Sequence, residues 1–117
     1  MKKYLILLFT VILVGCSNNS NGTNISYMSA KEKIINNGAI LVDVRTKEEY
    51  DDKHIDGATS IPLDSISDNV NNVISDKNTE IIVYCKSGAR SHEAMELLNS
   101  LGYKNVYDLG SIDNWKE

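Results

Sequence analysis

Glu80-Ile81-Ile82-Val83-Tyr84-Cys85-Lys86-Ser87-Gly88-Ala89-Arg90-Ser91 is the stretch on which the fold turns. Glu80 to Tyr84 is short, β-branched and nearly continuous in its apolar character, which predicts a strand buried on both faces, as in a parallel sheet. From Ser91 onward Ala94, Leu97, Leu98 and Leu101 fall on one helical face, and Gly102 is placed to end that helix. The stretch therefore reads as strand, tight turn and helix, with Cys85 and Gly88 in the turn.

Working outward, the same alternation recurs. Ala39 to Val44 is a second short apolar run bounded by turn residues, and Asn105 to Leu109 a third. Ala58 to Ile61 predicts a weaker strand, stopped by Pro62, and Asn24 to Tyr27 a short edge strand. Ser29-Ala30-Lys31-Glu32 has the form of a capping box opening a helix to about Asn36, closed at Asn37-Gly38. Thr46-Lys47-Glu48-Glu49 has the same form and opens a short helix to about Asp52. Ile66, Val70, Val73 and Ile74 mark another helix face, and Ser111 to Trp115 a final helical turn. Strands alternating with helices predict a small α/β domain, its central sheet mostly parallel and its helices on both faces.

The first residues follow a different logic. Met1-Lys2-Lys3 is basic, Tyr4 to Val14 is apolar apart from Thr10, and Gly15-Cys16 precedes a run of Ser, Asn, Gly and Thr. An apolar stretch of this length falls short of the roughly 20 residues that span a bilayer. The order of parts is that of a secretory signal peptide, and Leu13-Val14-Gly15-Cys16 resembles the bacterial lipoprotein signature. The expected organisation is a signal peptide over 1–15, a lipidated Cys16 with a polar tether over 16–24, and one folded domain over 25–117. The expected location is the outer face of the cytoplasmic membrane, or another envelope membrane, with the protein held there by the lipid on Cys16.

Charge narrows the partners. Residues 1–15 hold two of the 12 basic residues and none of the 16 acidic ones, so the remainder carries 10 against 16, a net charge of −6. An acidic body without a basic cluster argues against nucleic acid and against a polybasic attachment to lipid. A monomer is the default expectation.

Of the two cysteines, Cys16 is assigned to the anchor, which leaves Cys85 without a disulfide partner. Cys85 is then either an inert buried thiol or a reactive one. Its setting favours reactivity. Ligands of open α/β sheets bind at the carboxyl ends of the strands. A loop of small residues with Gly88 turns backbone N–H groups inward as an anion nest, and the next helix adds the positive end of its dipole. Lys86 and Arg90 add formal charge. Together these lower a thiol pKa, provided that the sulfur remains reachable from solvent.

Four residues separate Cys85 from Arg90. A phosphatase loop has five in that interval and cradles a tetrahedral phosphate. The shorter interval suits a smaller group, such as one extra sulfur on Cys85. Phosphate ester hydrolysis and arsenate-type reduction are disfavoured on this ground.

With these residues in view, the chain resembles a single-domain rhodanese over nearly all of residues 25 to 115. Leu41-Val42-Asp43-Val44-Arg45 resembles the family's early strand motif. Glu49-Tyr50, His54-Ile55-Asp56-Gly57-Ala58 and Ile61-Pro62 resemble its second signature, and Cys85 to Ser91 its active-site loop. Leu98 to Gly102-Tyr103, Val106 and Trp115 resemble its closing stretch. The resemblance implies Cys85 as persulfide carrier and the backbone amides of Lys86, Ser87, Gly88, Ala89 and Arg90 as the anion site. It implies a small anionic sulfur donor such as thiosulfate, a thiol, protein cysteine or cyanide as acceptor, and no cofactor. A non-catalytic module that binds sulfane sulfur or a partner is the alternative. Three positions depart from the family pattern: Lys53 stands where glycine is common, Ser111 replaces the second glycine of a pair, and the chain stops two residues after Trp115.

The remaining polar residues carry quieter expectations. His54 is expected to pack or hydrogen-bond and His92 to be solvated, and with one cysteine left at no ligand-like spacing no metal site is predicted. Asp43 and Arg45 are expected to form an ion pair or brace near the Cys85 loop, and Tyr84 and Trp115 to be core or pocket-wall residues.

Overall fold

The computed structural model describes residues 22–116, so the segment assigned to a signal peptide and Cys16 lie outside the described residues. Five strands form one parallel sheet: β1 (Gly22–Asn24), β2 (Ile40–Asp43), β3 (Thr59–Ser60), β4 (Glu80–Cys85) and β5 (Asn105–Ser111), in the spatial order β1-β5-β4-β2-β3. Four α-helices connect them: α1 (Tyr27–Asn37), α2 (Lys47–Asp52), α3 (Ile66–Val73) and α4 (Ala89–Ser100). The expected α/β domain with a parallel sheet is what forms.

Alternation along the strands sorts side chains into two cores. Val42, Ile81, Val83, Cys85 and Val106 face α3 and α4, where Ile66, Val70, Ala94 and Leu98 meet them. Leu41, Ile82, Tyr84 and Leu109 face the other way, toward Ala30 of α1 and Tyr50 of α2. β4 lies between β5 and β2, and every residue from Ile81 to Cys85 is buried. Each fully buried aliphatic side chain there contributes roughly 1.5–3 kcal/mol. The strand that carries the cysteine is therefore the one least free to move.

Several boundaries differ from the sequence expectation. The first strand occupies Gly22–Asn24, not 24–27, so its residues pair with β5 instead of lying in a tether. Helix α1 begins at Tyr27 with Ser26 as its cap, three residues before the cap expected at Ser29. Ser26, in extended geometry, accepts the Ser29 N–H on its side chain at 3.2 Å, so the Ser29–Glu32 pattern lies inside the helix. Tyr27 is anchored in that first turn by edge contact with Trp115, with ring centroids 4.8 Å apart. The Thr46–Glu49 capping box forms as expected, with both reciprocal hydrogen bonds in place. Helix α4 starts at Ala89, not Ser91, which makes Gly88 its N-cap and places Ala89 and Arg90 in its first turn. The final turn is a 3-10 turn over Ile112–Asn114.

Candidate active site

Cys85 is the last residue of β4, and its side chain lies on the α3/α4 face of the sheet. Three residues, Lys86 to Gly88, turn the chain into α4. Gly88 makes the turn at φ 109°, a region closed to most side-chain-bearing residues, and this brings its N–H to 2.9 Å from the Cys85 Sγ. The Gly88 carbonyl is turned into α4, where the Ser91 hydroxyl and the His92 N–H both donate to it at 3.1 Å. The Lys86 carbonyl points toward β5, where the Ser111 hydroxyl donates to it at 2.7 Å.

Burial alone would push the Cys85 thiol up. The Ser91 side chain and the N–H groups of Ser91, Gly88 and Ser87 outweigh it and hold the thiol below its ordinary value. The resting Ser91 hydroxyl donates to the Gly88 carbonyl and carries one proton, so it serves the sulfur only by turning away from that carbonyl. The expectation of a solvent-reachable sulfur is corrected: Cys85 has 0% relative exposure. The loop that follows it is open to solvent: Lys86, Ser87 and Ala89 are exposed and Gly88 is half-buried.

The two arginines near the loop are both engaged. Arg90, expected as an anion-binding cation, forms a two-pronged pair with Glu49 of α2, Nη1 to Oε1 at 2.8 Å and Nη2 to Oε2 at 3.2 Å. That pair and the Thr46 N–H lower the Glu49 carboxyl to about 2. Arg45 lies against Asp43 in a buried pair at 2.8 Å and also reaches the Lys53 carbonyl at 2.5 Å. The Tyr84 hydroxyl donates to Asp43 at 2.8 Å and accepts the Ile55 N–H at 3.2 Å. Burial and the Asp43 charge raise its phenol far above the ordinary range. Asp43, Arg45 and Tyr84 thus brace the 53–55 segment against the sheet. Lys86 is exposed and, among the described residues, makes no ion pair, so it supplies the uncompensated positive charge of the loop.

Two recesses touch this assembly. A cavity of about 180 Å³ lies between Val44, Pro62, Leu63 and Arg90, on the same sheet face as the sulfur. A cleft of about 270 Å³ runs between Lys86, Lys53, Glu49 and Asp113. Larger hollows of about 450 and 320 Å³ open elsewhere, and neither is lined by the Cys85 loop.

His54 stacks on Tyr50 at 3.8 Å and its Nδ1 lies 2.8 Å from the Tyr50 carbonyl, so it packs as expected. His92 is exposed beside Glu96. Among the described residues no group of three His, Cys, Asp or Glu side chains is placed to hold a metal ion. Three residues of the site carried no expected role in it: Glu49, read as a cap and as part of the second signature; Ser91, read as a helix start and as the end of the loop motif; and Ser111, read as a departure. Their shared signal was position, each lying next to a motif residue, and it became meaningful only when the chain closed.

The rhodanese-like domain model matches residues 26–117. Thiosulfate sulfurtransferase PspE of Escherichia coli is 37% identical over 71 residues, covering 61% of this chain and 68% of that one. A solved rhodanese from E. coli, determined with anions, is 34% identical with a TM-score of 0.62, covering 65% of this chain and 89% of that one. The human single-domain sulfurtransferase TSTD1 is 25% identical with a TM-score of 0.70, covering 79% and 93%. The chain also matches longer proteins of which it spans a third or less. A Cys85 cradle at the end of the central parallel strand, inside a fold shared with these proteins, places the chain in the rhodanese-like family, as an enzyme of the rhodanese type.

Proposed function

We propose that the chain is a sulfurtransferase that carries sulfur as a persulfide on Cys85. The observation that carries this is the Gly88 N–H aimed at the Cys85 Sγ from 2.9 Å, in a turn that favours thiolate over thiol. The Cys85 thiolate attacks the outer sulfur of thiosulfate or a related donor. A new S–S bond forms on Cys85, the donor's S–S bond breaks, and sulfite leaves with the electron pair. A thiolate or cyanide then attacks the outer sulfur, and the Cys85 thiolate departs. Backbone N–H groups of Ser87, Gly88 and the first turn of α4 bind the anionic outer sulfur, and exposed Lys86 draws an anionic donor toward them. The similar E. coli rhodanese was solved with anions.

Because Cys85 has no exposed surface at rest, transfer requires an opening beside the sulfur that leaves the Ser87 and Gly88 N–H groups in place. The full chain with Cys16→Ser, incubated with thiosulfate and weighed intact, should gain the mass of one sulfur atom. A Cys85→Ser version should gain none, and an equal gain in both defeats the proposal. The complete cover also favours a second reading, a module that binds sulfane sulfur or a partner without turnover. A single labelling event with no repeated cycle in the presence of a thiol acceptor would establish it.

The anchoring of this activity to a membrane is proposed from residues 1–16 alone. Growth of a bacterial host with a labelled fatty acid should label the wild-type chain and not Cys16→Ser. Label on both, or on neither, removes the anchor.

A further inference from the structure

The Lys86–Ser87 peptide lies beyond the end of β4 and before the start of α4, so neither element fixes its orientation. Across a planar trans peptide the C=O and the N–H point in opposite directions. The Ser111 hydroxyl holds the Lys86 carbonyl toward β5 at 2.7 Å. The N–H of the same unit, which belongs to Ser87, is thereby directed away from β5. A Ser87 N–H on the sulfur is among the groups that hold the thiol down.

Ser111 reaches that carbonyl through two features of β5. The register shifts between Val83 and Tyr84, so that Tyr84 pairs with Gly110 and Cys85 with Ser111. Gly110 takes φ 86°, and a Cβ there would stand 3.2 Å from the Asn114 amide nitrogen. The hydroxyl is also fixed in its sense: it accepts the Asp113 N–H at 3.0 Å, and its one proton goes to a carbonyl that only accepts.

We propose that Ser111 is a positioning residue for the transfer reaction, orienting the Lys86–Ser87 peptide so that its N–H faces the sulfur of Cys85. The proposal rests on Cys85 being the sulfur-carrying nucleophile. Ser111 touches neither donor nor acceptor; it sets the field in which the nucleophile ionises.

The test uses the full chain with Cys16→Ser, so that Cys85 is the one thiol present, and follows thiolate absorbance in the ultraviolet against pH. Ser111→Thr keeps the hydroxyl, and Ser111→Val keeps the shape of Thr without it. Ser111→Val should raise the ionisation midpoint by about half a pH unit, a roughly threefold loss of thiolate below the midpoint, and Ser111→Thr should match the parent. If Ser111 serves only as the cap for Asp113, Ser111→Val loosens the terminal turn, and stability falls with no change in midpoint. An unchanged midpoint in folded Ser111→Val overturns the proposal, as does a shift in Ser111→Thr as large as in Ser111→Val. Ser111→Ala replaces Ser111→Val if the latter does not fold. Failure of the parent to take up sulfur from thiosulfate is a separate measurement; it takes down the transfer function, and this role with it, whatever the midpoints show.

Discussion

Two cation–carboxylate pairs stand side by side near the end of the sheet, and they are built differently. Asp43 and Arg45 are buried, with side-chain exposures of 0% and 8%, and their remaining hydrogen-bond capacity goes to Tyr84 and the Lys53 carbonyl. Glu49 and Arg90 keep 29% and 35% of their side-chain surface and join one helix to another at the rim of the loop. The first pair cannot be undone without leaving a charge in the interior. The second is close enough to water for either partner to be resolvated. The scaffold is therefore held by the buried pair, while the loop above Cys85 is held by a few surface hydrogen bonds and a glycine. That division suits a protein whose nucleophile is covered at rest and has to be uncovered to react.

The comparison breaks most sharply at Asp43. Asp43→Ala leaves Arg45 buried and unpaired, a loss of about 3–5 kcal/mol. Denaturant unfolding should register it, and a loss below about 1 kcal/mol would mean that water enters the brace. Tyr84→Phe comes next. It strands the buried Ile55 N–H and takes one donor from Asp43, for about 1–3 kcal/mol. Its sulfur uptake, normalised to folded protein, should stay near the parent's.

Gly88→Ala tests the opposite region and should invert the pattern. Nothing lies within 4 Å of the added Cβ, so the cost is the backbone strain at φ 109°, of order 1–3 kcal/mol. Relief of that strain rotates the peptide whose N–H meets the sulfur, so thiosulfate uptake should fall by much more than unfolding stability suggests. Uptake equal to the parent's would show that the Gly88 N–H is not needed for the chemistry.

How far such contrasts were legible beforehand depends on where the information resides. The sheet could be read because β4 and β2 are apolar runs with turn residues at both ends, and the Thr46–Glu49 box because both of its partners are local. Helix α1 was misplaced because two serines three apart, Ser26 and Ser29, both suit a cap, and only packing of Tyr27 on Trp115 selects the earlier one. In sequence Arg90 shows only as formal charge at the loop, because its partner Glu49 is 41 positions away. Ser111 was noticed as a departure, yet its bond to the Lys86 carbonyl depends on a register shift that no local pattern encodes. Burial of Cys85 has a related cause: its side chain joins the core under α3 and α4, and that packing is a property of the closed chain.

The smallest effect belongs to Glu49→Gln, and it sharpens the comparison from the surface side. Glutamine retains an acceptor for the Thr46 N–H, so the capping box and α2 should survive while the charge is lost. The Glu49 carboxyl sits at about 2, against 4.5 when unperturbed. A depressed carboxyl contributes stability that is fully present above its unfolded value and lost as pH falls through its folded one. The parent should therefore exceed Glu49→Gln by a constant margin above pH 4.5, and the margin should close between 4.5 and about 2. With both partners partly in water, that margin should be about 1 kcal/mol or less, well under what the shift would imply in a dry site. It should also shrink with added salt, as the Asp43 effect should not. A salt-independent margin of several kcal/mol would place the Glu49–Arg90 pair with the buried brace, and the distinction between a fixed scaffold and a yielding rim would be lost.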